Sequence, residues 1–323
     1  MRICYFIQCH KVPEQVVWLI SLLNDKNNTF VLSVDGDNEL LAELSYQLRN
    51  LDNIIIYRSA PVTWCGISSV QACLEGIRQA THKFNWDYFV NLSGQCFPLK
   101  RQSDIREELS RSYKDEKLVF MNHFRPRKID IPDYAYDSDG EVALVQIALF
   151  ESKGMVCKVH PKIKGMFEHW RTSPVVLPYL RPLVWTEEYS NTKTITVRPL
   201  TAAQRGHRSK VFEKSAFLCG RAWFIFHRKV CEWILDSENT ESYLQEYSSI
   251  FCPDESFFQS FIVNSSYWTK NIENNNYRLS GGAPVVVDDS NFQSVCQENV
   301  FFGRKLEFHQ ANKTVSWLES LNV

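Results

Sequence analysis

Two adjacent carboxylates follow a proline at Pro253-Asp254-Glu255, just before an aromatic run that the sequence predicts to be buried. Ionised carboxylates are costly to bury without partners, so this step needs a physical explanation. One interpretation is helix capping, with Pro253 near the first turn and both carboxylates facing the positive end of the helix dipole. The other interpretation is a general base at the floor of a cleft. Taken alone, these three residues favour the cap.

A second acidic step, Asp35-Gly36-Asp37, follows a predicted strand. Carboxylate oxygens at this spacing suit Mg²⁺ or Mn²⁺, which such a pair can hold against a nucleotide diphosphate. The alternative is an Asp-Gly turn, which this dipeptide forms readily after a strand. Its position after only the second strand favours the turn over the metal site.

A basic pair, Arg304-Lys305, follows two phenylalanines near the C-terminus. It is interpreted either as a solvated surface pair or as cations that an apolar anchor delivers to a diphosphate. The sequence contains no P-loop, no dinucleotide-binding glycine motif and no Gly-x-Ser-x-Gly step, and its histidines lack metal-ligand spacing.

The first hundred residues alternate between strand and helix patterns, and these elements must position the candidate groups. The predicted strands cover 3–8, 29–34, 53–57 and 88–92, and the predicted helices cover 13–24, 39–49 and 68–82. This alternation predicts an α/β fold with a mostly parallel central sheet flanked by helices. Binding sites in such sheets lie beyond the carboxyl ends of the strands. Three segments that each follow a strand are therefore expected to ring one crevice: Cys9-His10-Lys11, Asp35-Gly36-Asp37 and Ser93-Gly94-Gln95.

The remainder of the chain is less regular. Residues 114–213 carry charge clusters and acidic loops, which predicts long connections and a mobile lid on the acceptor side. A strand is expected over 222–226, and helices are expected over 228–237 and 256–264.

The composition is ordinary for a globular protein, with 44% hydrophobic and 23% charged residues among 323. A net charge of −1 argues against a sequence-independent nucleic-acid binder, which needs a basic excess. The ten cysteines are scattered singly without a CxxC pair, which favours reduced thiols. Neither a secretory signal nor an apolar run of membrane-spanning length is evident, so we expect a cytoplasmic protein.

Several ordered motifs resemble one enzyme family. Residues 64–70 are similar to Trp-Gly-Gly-x-Ser-Leu-Val, and residues 87–99 are similar to Asp-Tyr-Phe-x-x-Leu-Ser-Gly-x-Asp-Tyr-Pro-Leu. Residues 220–224, 252–258 and 301–307 resemble Gly-Ser-x-Trp-Phe, Ser-Pro-Asp-Glu-x-Phe and Phe-Phe-Ala-Arg-Lys-Phe-Asp/Glu. Together these stretches resemble the core-2/I-branching β-1,6-N-acetylglucosaminyltransferase family, which also contains the peptide O-xylosyltransferases.

The resemblance implies a GT-A-like glycosyltransferase fold and a metal-independent enzyme that inverts the anomeric centre. Glu255 corresponds to the catalytic base of the family, and Lys305 to the lysine that holds the diphosphate. The family's second cation has no clear counterpart; Arg278 is the nearest candidate, and Arg304 is the second choice. The implied UDP-sugar ligands are His10, Asp35, Trp64, Gly66, Ser93, Gly94, Arg278, Arg304 and Lys305, and the implied acceptor ligands are Arg221, Trp223 and Asp254.

Some positions depart from the family pattern. Cys65 replaces a glycine, Cys96 replaces an acidic residue, and Arg221 replaces a small residue beside the acceptor region. Asp37 is not part of the family's usual Val-Asp-x-Lys step. These departures leave the donor sugar and the acceptor open.

We therefore expect a single GT-A-like domain whose half 1–113 binds the nucleotide sugar and whose half 114–323 binds the acceptor and carries out catalysis. The expected reaction moves GlcNAc or xylose from a UDP-sugar, with no cofactor and no metal, to a hydroxyl group of a glycan or polysaccharide precursor. The alternatives are UDP-glucose or UDP-galactose as donor, or a catalytically silent glycan-binding protein. The resemblance suggests a bacterial-type member with a lipid-linked acceptor that brings it to a membrane peripherally, and no nucleic-acid partner.

Overall fold

The structure is a computed structural model. It describes residues 1–35, 38–63, 66–124, 217–248, 253–277, 286–292, 300–306 and 308–320, and in addition the backbone of three strands between 156 and 199.

A seven-stranded sheet forms the centre of the described part. In spatial order its strands are β11 (Ile272–Glu273), β6 (Val119–Met121), β10 (Phe224–His227), β4 (Tyr88–Ser93), β1 (Ile3–Cys9), β2 (Asn28–Val34) and β3 (Ile54–Arg58). Only β10 runs against the other six strands of this sheet. The α/β class with a mostly parallel sheet is thus confirmed.

Helices cover both faces of this sheet because successive side chains of each strand point to opposite faces. In β1, Ile3, Tyr5 and Ile7 face one apolar cluster, whereas Cys4 and Phe6 face the other. The helices on the first face are α1 (Pro13–Leu23), α2 (Asn38–Gln47), α4 (Gln102–Lys114) and α8 (Asn312–Ser320). Those on the second face are α3 (Ser68–Lys83), α5 (Arg228–Asp236), α6 (Thr240–Tyr247) and α7 (Phe257–Asn264).

The predicted elements of the first hundred residues are confirmed to within about two residues at their ends. The helices α4 and α8 were not expected, because their sequences are polar and lack a long apolar run. Within residues 114–213, where long connections are expected, the described backbone contains strands. Besides β6, the backbone forms β7 (Val156–Val159), β8 (Trp185–Tyr189) and β9 (Thr194–Pro199), which pair as a three-stranded sheet in the order β7-β9-β8.

A short two-stranded sheet ties the C-terminal segment to the main body. β12 (Phe302–Gly303) pairs antiparallel with β5 (Phe97–Pro98), directly after the Ser93-Gly94 turn. This pairing brings residues near the C-terminus to the carboxyl edge of the central sheet.

None of the helices in the described ranges has the length and apolar character that crossing a membrane requires. The six cysteines that the structure describes form no disulfide with one another: Cys4, Cys9, Cys73, Cys96, Cys219 and Cys231.

Candidate active site

The carboxyl ends of β1, β2 and β4 meet at one edge of the sheet, as the alternating pattern predicts. The Asp35 amide donates a hydrogen bond to the Cys9 carbonyl at 2.8 Å, and the Gly94 amide donates to the Gln8 carbonyl at 2.9 Å. The Asp35 carboxylate accepts a hydrogen bond from the Val62 amide at 3.1 Å. Asp35 and Gly94 therefore lie directly beside the β1 end, which continues into His10.

Gly94 is required by close packing at this edge. A Cβ atom there would lie 2.9 Å from Cγ2 of Val16 and 3.1 Å from Cβ of Cys9. The preceding residue, Ser93, is fixed by Cys96, whose sulfur accepts from the Ser93 amide at 3.3 Å. The Ser93-Gly94 turn is thus closely packed at this edge of the sheet.

Arg304 and Lys305 reach the same edge through the short β5–β12 sheet. The Leu306 amide donates to the Gln95 carbonyl at 3.1 Å, and the Gln15 side chain donates to the Leu306 carbonyl at 3.3 Å. The Lys305 carbonyl in turn accepts from the Val287 amide at 2.7 Å. These bonds hold the basic pair beside the Ser93-Gly94 turn, about two hundred residues away in sequence.

The charges at this edge influence one another. Burial lowers the pKa of His10, Lys11, Lys305 and Arg304 lower it further, and Asp35 raises it. The strand-end loops and the basic pair therefore share one electrostatic environment, which favours a bound anion.

The acidic step lies beside this edge but not in the helix that the capping interpretation requires. Residues 253–255 form a separate 3₁₀ turn, and α7 begins only at Phe257 after Ser256. The predicted helix over 256–264 is confirmed to within one residue at its start, whereas Pro253 lies in the preceding 3₁₀ turn and not in the first turn of α7. The Asp254 and Glu255 amides of this turn act on the Asp254 carboxylate and lower its pKa, but its Oδ1 atom has no hydrogen-bond partner among the described residues.

Asp254 and Glu255 occupy contrasting environments. Glu255 is exposed, whereas Asp254 is half-buried and its Oδ1 atom is buried without a hydrogen-bond partner among the described residues. Burial raises the pKa of Asp254 to about 6, against the lowering effects of the Asp254 and Glu255 amides and of Arg304. Glu255 contributes, after burial, to raising the pKa of the Cys219 thiol to about 12. Of the two acidic residues, Glu255 is thus the more exposed.

The segment 220–223 joins the 3₁₀ turn to the sheet. Because β10 runs against its neighbours, the residues before it lie at the carboxyl edge of β1 and β4. The Gly220 amide donates to the Glu255 carbonyl at 2.8 Å, and a Cβ at Gly220 would lie 1.8 Å from the Asn122 carbonyl oxygen. No larger residue fits at Gly220 without a backbone shift, so the Glu255 position depends on this glycine.

The ring of Trp223 contacts the side chain of Arg304. The guanidinium carbon of Arg304 lies 4.7 Å from the centroid of the Trp223 ring, within the range of a cation–π interaction. The Nε atom of Arg304 is buried and has no hydrogen-bond partner in the described part. Trp223 and Arg304, predicted as acceptor and donor ligands respectively, thus lie side by side.

Three buried amide side chains hold the segment 220–223, and the sequence interpretation missed them. Asn91 donates to the Ala222 carbonyl at 3.1 Å, Gln259 donates to the Arg221 carbonyl at 2.9 Å, and Asn276 donates to the Trp223 carbonyl at 3.3 Å. The role of Asn91 could have been recognised from the sequence, because it is a single amide within an otherwise apolar strand and a buried amide requires hydrogen-bond partners.

Other predicted ligands stand as follows. Trp64, Asp37 and Arg278 lie outside the described residues. The carbonyl of Tyr277, which precedes Arg278, accepts from the Phe301 and Phe302 amides at 2.8 and 3.2 Å. The chain that leads into Arg278 is thus close to the chain that leads into Arg304.

Gly66 forms the turn that precedes α3. Its amide donates to the Thr63 carbonyl at 2.9 Å, and its carbonyl accepts from the Ser69 side chain at 2.8 Å.

Among the residues with described positions, no three His, Cys, Asp or Glu side chains form a group that could hold a metal ion. That finding does not reach the Asp35/Asp37 pair, because Asp37 is not described.

A comparison with protein families matches the model of the Core-2/I-Branching enzyme family at residues 3–134 and 167–281, which is more than half of the chain. The matched ranges contain Glu255, whereas Arg304 and Lys305 lie beyond them.

Curated relatives carry glycosyltransferase names. A human probable β-1,3-galactosyl-O-glycosyl-glycoprotein β-1,6-N-acetylglucosaminyltransferase 7 is 25% identical over 121 residues, covering 36% of this chain and 28% of its own length. A xylosyltransferase of Ciona intestinalis is 27% identical over 37% of this chain and 14% of its own. Xylosyltransferase 1 of Rattus norvegicus is 22% identical over 85% of this chain and 27% of its own. The matched regions thus span less than a third of each of these relatives.

Among solved structures, S. aureus TarS 1-349 in complex with UDP-GlcNAc matches with a TM-score of 0.30 and 8% identity, covering 52% of this chain and 47% of that one. A likeness of this size is too weak to assign a fold or a ligand.

Proposed function

Because the chain belongs to the Core-2/I-branching enzyme family, we propose that it transfers N-acetylglucosamine or xylose from a UDP-sugar to a hydroxyl group of a glycan acceptor. The observation that carries this proposal is the crevice edge itself. It brings two cations, Arg304 and Lys305, together with the strand-end loops at His10 and Asp35, while the exposed carboxylate of Glu255 lies on the adjoining turn.

The cations are the proposed binding groups for the donor diphosphate. Arg304 offers a planar guanidinium and Lys305 a compact ammonium, and both form charge-assisted hydrogen bonds with phosphate oxygens. The rigid Ser93-Gly94 turn and Asp35 lie beside them and are suited to hold the uridine part or the sugar. The negative charge that develops on the departing UDP is then stabilised by two cations that are already in position before the reaction.

Glu255 is the proposed general base. It accepts the proton of the acceptor hydroxyl while that oxygen forms a bond to the sugar C1 and the bond from C1 to the UDP oxygen breaks. Attack from the face opposite UDP inverts the anomeric centre. The link from the Glu255 carbonyl to the Gly220 amide fixes the base relative to Trp223, which is suited to stack on an acceptor sugar.

We propose that the reaction needs no metal, because Arg304 and Lys305 supply the positive charge that a divalent ion otherwise provides. Transfer should then persist unchanged in excess chelator. Activity that is lost in chelator and restored only by Mn²⁺ would identify Asp35 and Asp37 as metal ligands instead.

The donor can be found by thermal unfolding of the protein with UDP-GlcNAc, UDP-xylose, UDP-glucose, UDP-galactose and UDP. A ligand that binds only the folded state raises the melting temperature by mass action, so the true donor should give the largest shift among the sugars. The same donor should yield UDP in the presence of a glycan acceptor. A shift without any UDP release would favour a catalytically silent glycan-binding protein, and no shift with any nucleotide would contradict the proposal.

A further inference from the structure

The proposed reaction gives Glu255 a role but leaves its neighbour Asp254 without one. A buried carboxylate oxygen without a hydrogen-bond partner is costly, and Oδ1 of Asp254 is such an atom among the described residues. A residue kept in this condition beside a predicted active site is a candidate for a functional role.

Arg304, a positive charge that acts on Asp254, is in a comparable condition. Its Nε atom is likewise buried without a partner in the described part, and its guanidinium rests on the Trp223 ring rather than on a carboxylate. Arg304 acts on Asp254 electrostatically, yet no ion-pair contact joins the two among the described residues. Each group thus has an opposite charge close by and a hydrogen-bonding atom that remains unused.

We propose that Asp254 is a positioning residue for the donor diphosphate: its carboxylate is the counter-charge that keeps Arg304 over Trp223 in the empty site. When the diphosphate arrives, it replaces Asp254 as the partner of Arg304. This inference rests on the proposed function, because it requires that Arg304 meets the diphosphate.

The replacement has a measurable consequence. A negative diphosphate beside Arg304 cancels the positive charge that favours ionised Asp254, while the burial of Asp254 persists. The proton affinity of Asp254 then increases, so binding of a nucleotide sugar takes up a proton. By linkage, binding tightens as the pH falls.

Other titratable groups face this pair from the surrounding elements. Cys73 of α3 is held neutral by a pKa that burial raises well above the physiological range, and Glu255 is adjacent in the 3₁₀ turn. On the side of Arg304, the strand-end loops contribute His10, which also gains proton affinity when an anion binds. The experiment must therefore separate Asp254 from His10.

The remaining charged groups near Arg304 are Lys11, Asp35 and Lys305, which all act on His10. The test covers the range of about pH 5.5 to 7.5. A nucleotide sugar is the right probe because its diphosphate carries no titrating group in that range, unlike free UDP.

The test is isothermal titration of UDP-GlcNAc and UDP-xylose into the full chain at about pH 6.5, in buffers of different ionisation enthalpy, which counts the protons taken up. The wild-type protein is expected to take up about half a proton and to bind about five-fold more tightly at pH 5.5 than at pH 7.5. Asp254→Asn should lose most of this uptake, and His10→Gln should retain most of it.

Equal proton uptake by the wild type and Asp254→Asn overturns the inference, as does uptake lost in His10→Gln alone. If Asp254→Asn does not fold, Arg304→Gln provides the second test, because without this cation uptake should fall together with affinity. A wild-type protein that binds neither nucleotide sugar overturns the proposed function, whereas normal binding with pH-independent affinity overturns only the role of Asp254.

Discussion

The edge of the central sheet where its parallel strands begin and the edge where they end differ in how their charged side chains are paired. At the edge where the parallel strands begin, charges are paired: Arg106 contacts both carboxylate oxygens of Asp25 at 3.0 Å, and Arg228 contacts Glu232 at 2.7 Å. At the edge where these strands end, Arg304 and Asp254 each keep a buried polar atom without a partner in the described part.

This difference indicates which side chains stabilise the fold and which remain available to a ligand. Paired groups offset their own desolvation and leave little free energy for a ligand, whereas unpaired groups retain their capacity to bind. We therefore expect the ion pairs at the starting edge to contribute to stability, and Arg304 and Asp254 at the ending edge to remain available to a ligand. Substitutions at the two edges should accordingly have separable effects.

The largest effect is expected from Glu255→Gln, which removes the proposed base at the ending edge. Turnover should fall by about 10²- to 10⁴-fold while UDP affinity and the melting temperature stay close to the wild type, because an exposed carboxylate contributes little to folding. The measurement is UDP release with donor and acceptor both saturating. Glu238→Gln, an exposed glutamate between α5 and α6, is the matched control. Turnover that remains above about a tenth of normal would show that Glu255 is not the base.

Lys305→Ala should weaken UDP binding by about 10- to 100-fold, because a charge-assisted hydrogen bond to phosphate is lost. Titration calorimetry with UDP measures this change, and Lys313→Ala on α8, an exposed lysine, should bind normally. Unchanged affinity in Lys305→Ala would remove this lysine from the binding site.

His227 at the starting edge should make folding sensitive to acid. Burial, with Lys229, lowers its pKa to about 4, whereas the unfolded chain binds the proton near pH 6.5. The unfolded state therefore binds more protons below pH 6.5, and stability should fall by about 2 kcal/mol between pH 7 and pH 5.

Urea unfolding at the two pH values measures this loss. His227→Asn is the informative variant, since its side chain can still accept from the Lys229 amide, which His227 does at 3.2 Å, but it does not titrate. A pH dependence as steep in His227→Asn as in the wild type would assign the acid sensitivity to other groups.

A small effect is expected from Arg106→Ala, which breaks the partly buried pair with Asp25. Its side chain is 19% exposed, so the free energy of unfolding should fall by about 1 kcal/mol with UDP affinity unchanged. Arg78→Ala, which breaks the exposed pair with Glu75 on α3, should have almost no effect. A loss of UDP affinity in Arg106→Ala would contradict the separation of the two edges.

Much of the fold could be predicted because its signals are local. The strands β1 to β4 and the helices α1 to α3 each have an apolar period that their own residues carry. The adjacency of the strand-end segments followed from this alternation, and the contacts of Asp35 and Gly94 with the end of β1 confirm it. The donor, the base and the metal-free mechanism stay predictions that rest on the family.

Other features lacked a local signal. The strand β10 is predicted by its apolar residues, but its antiparallel direction, which places Trp223 at the crevice, depends on pairing with β4 and β6. The two-residue strands β5 and β12 are too short to show a period, although their pairing brings Arg304 and Lys305 to the site.

By itself, the sequence determined the α/β alternation, the apolar faces of the helices and the family to which the chain belongs. Only the tertiary structure decided that Asp254 is half-buried while Glu255 is exposed, and that Arg304 rests on Trp223 eighty-one positions earlier in the chain. The physical reason is that a hydrophobic period reports which side of an element is buried. The solvation and charge partners of a single carboxylate depend instead on elements that folding brings to it from elsewhere.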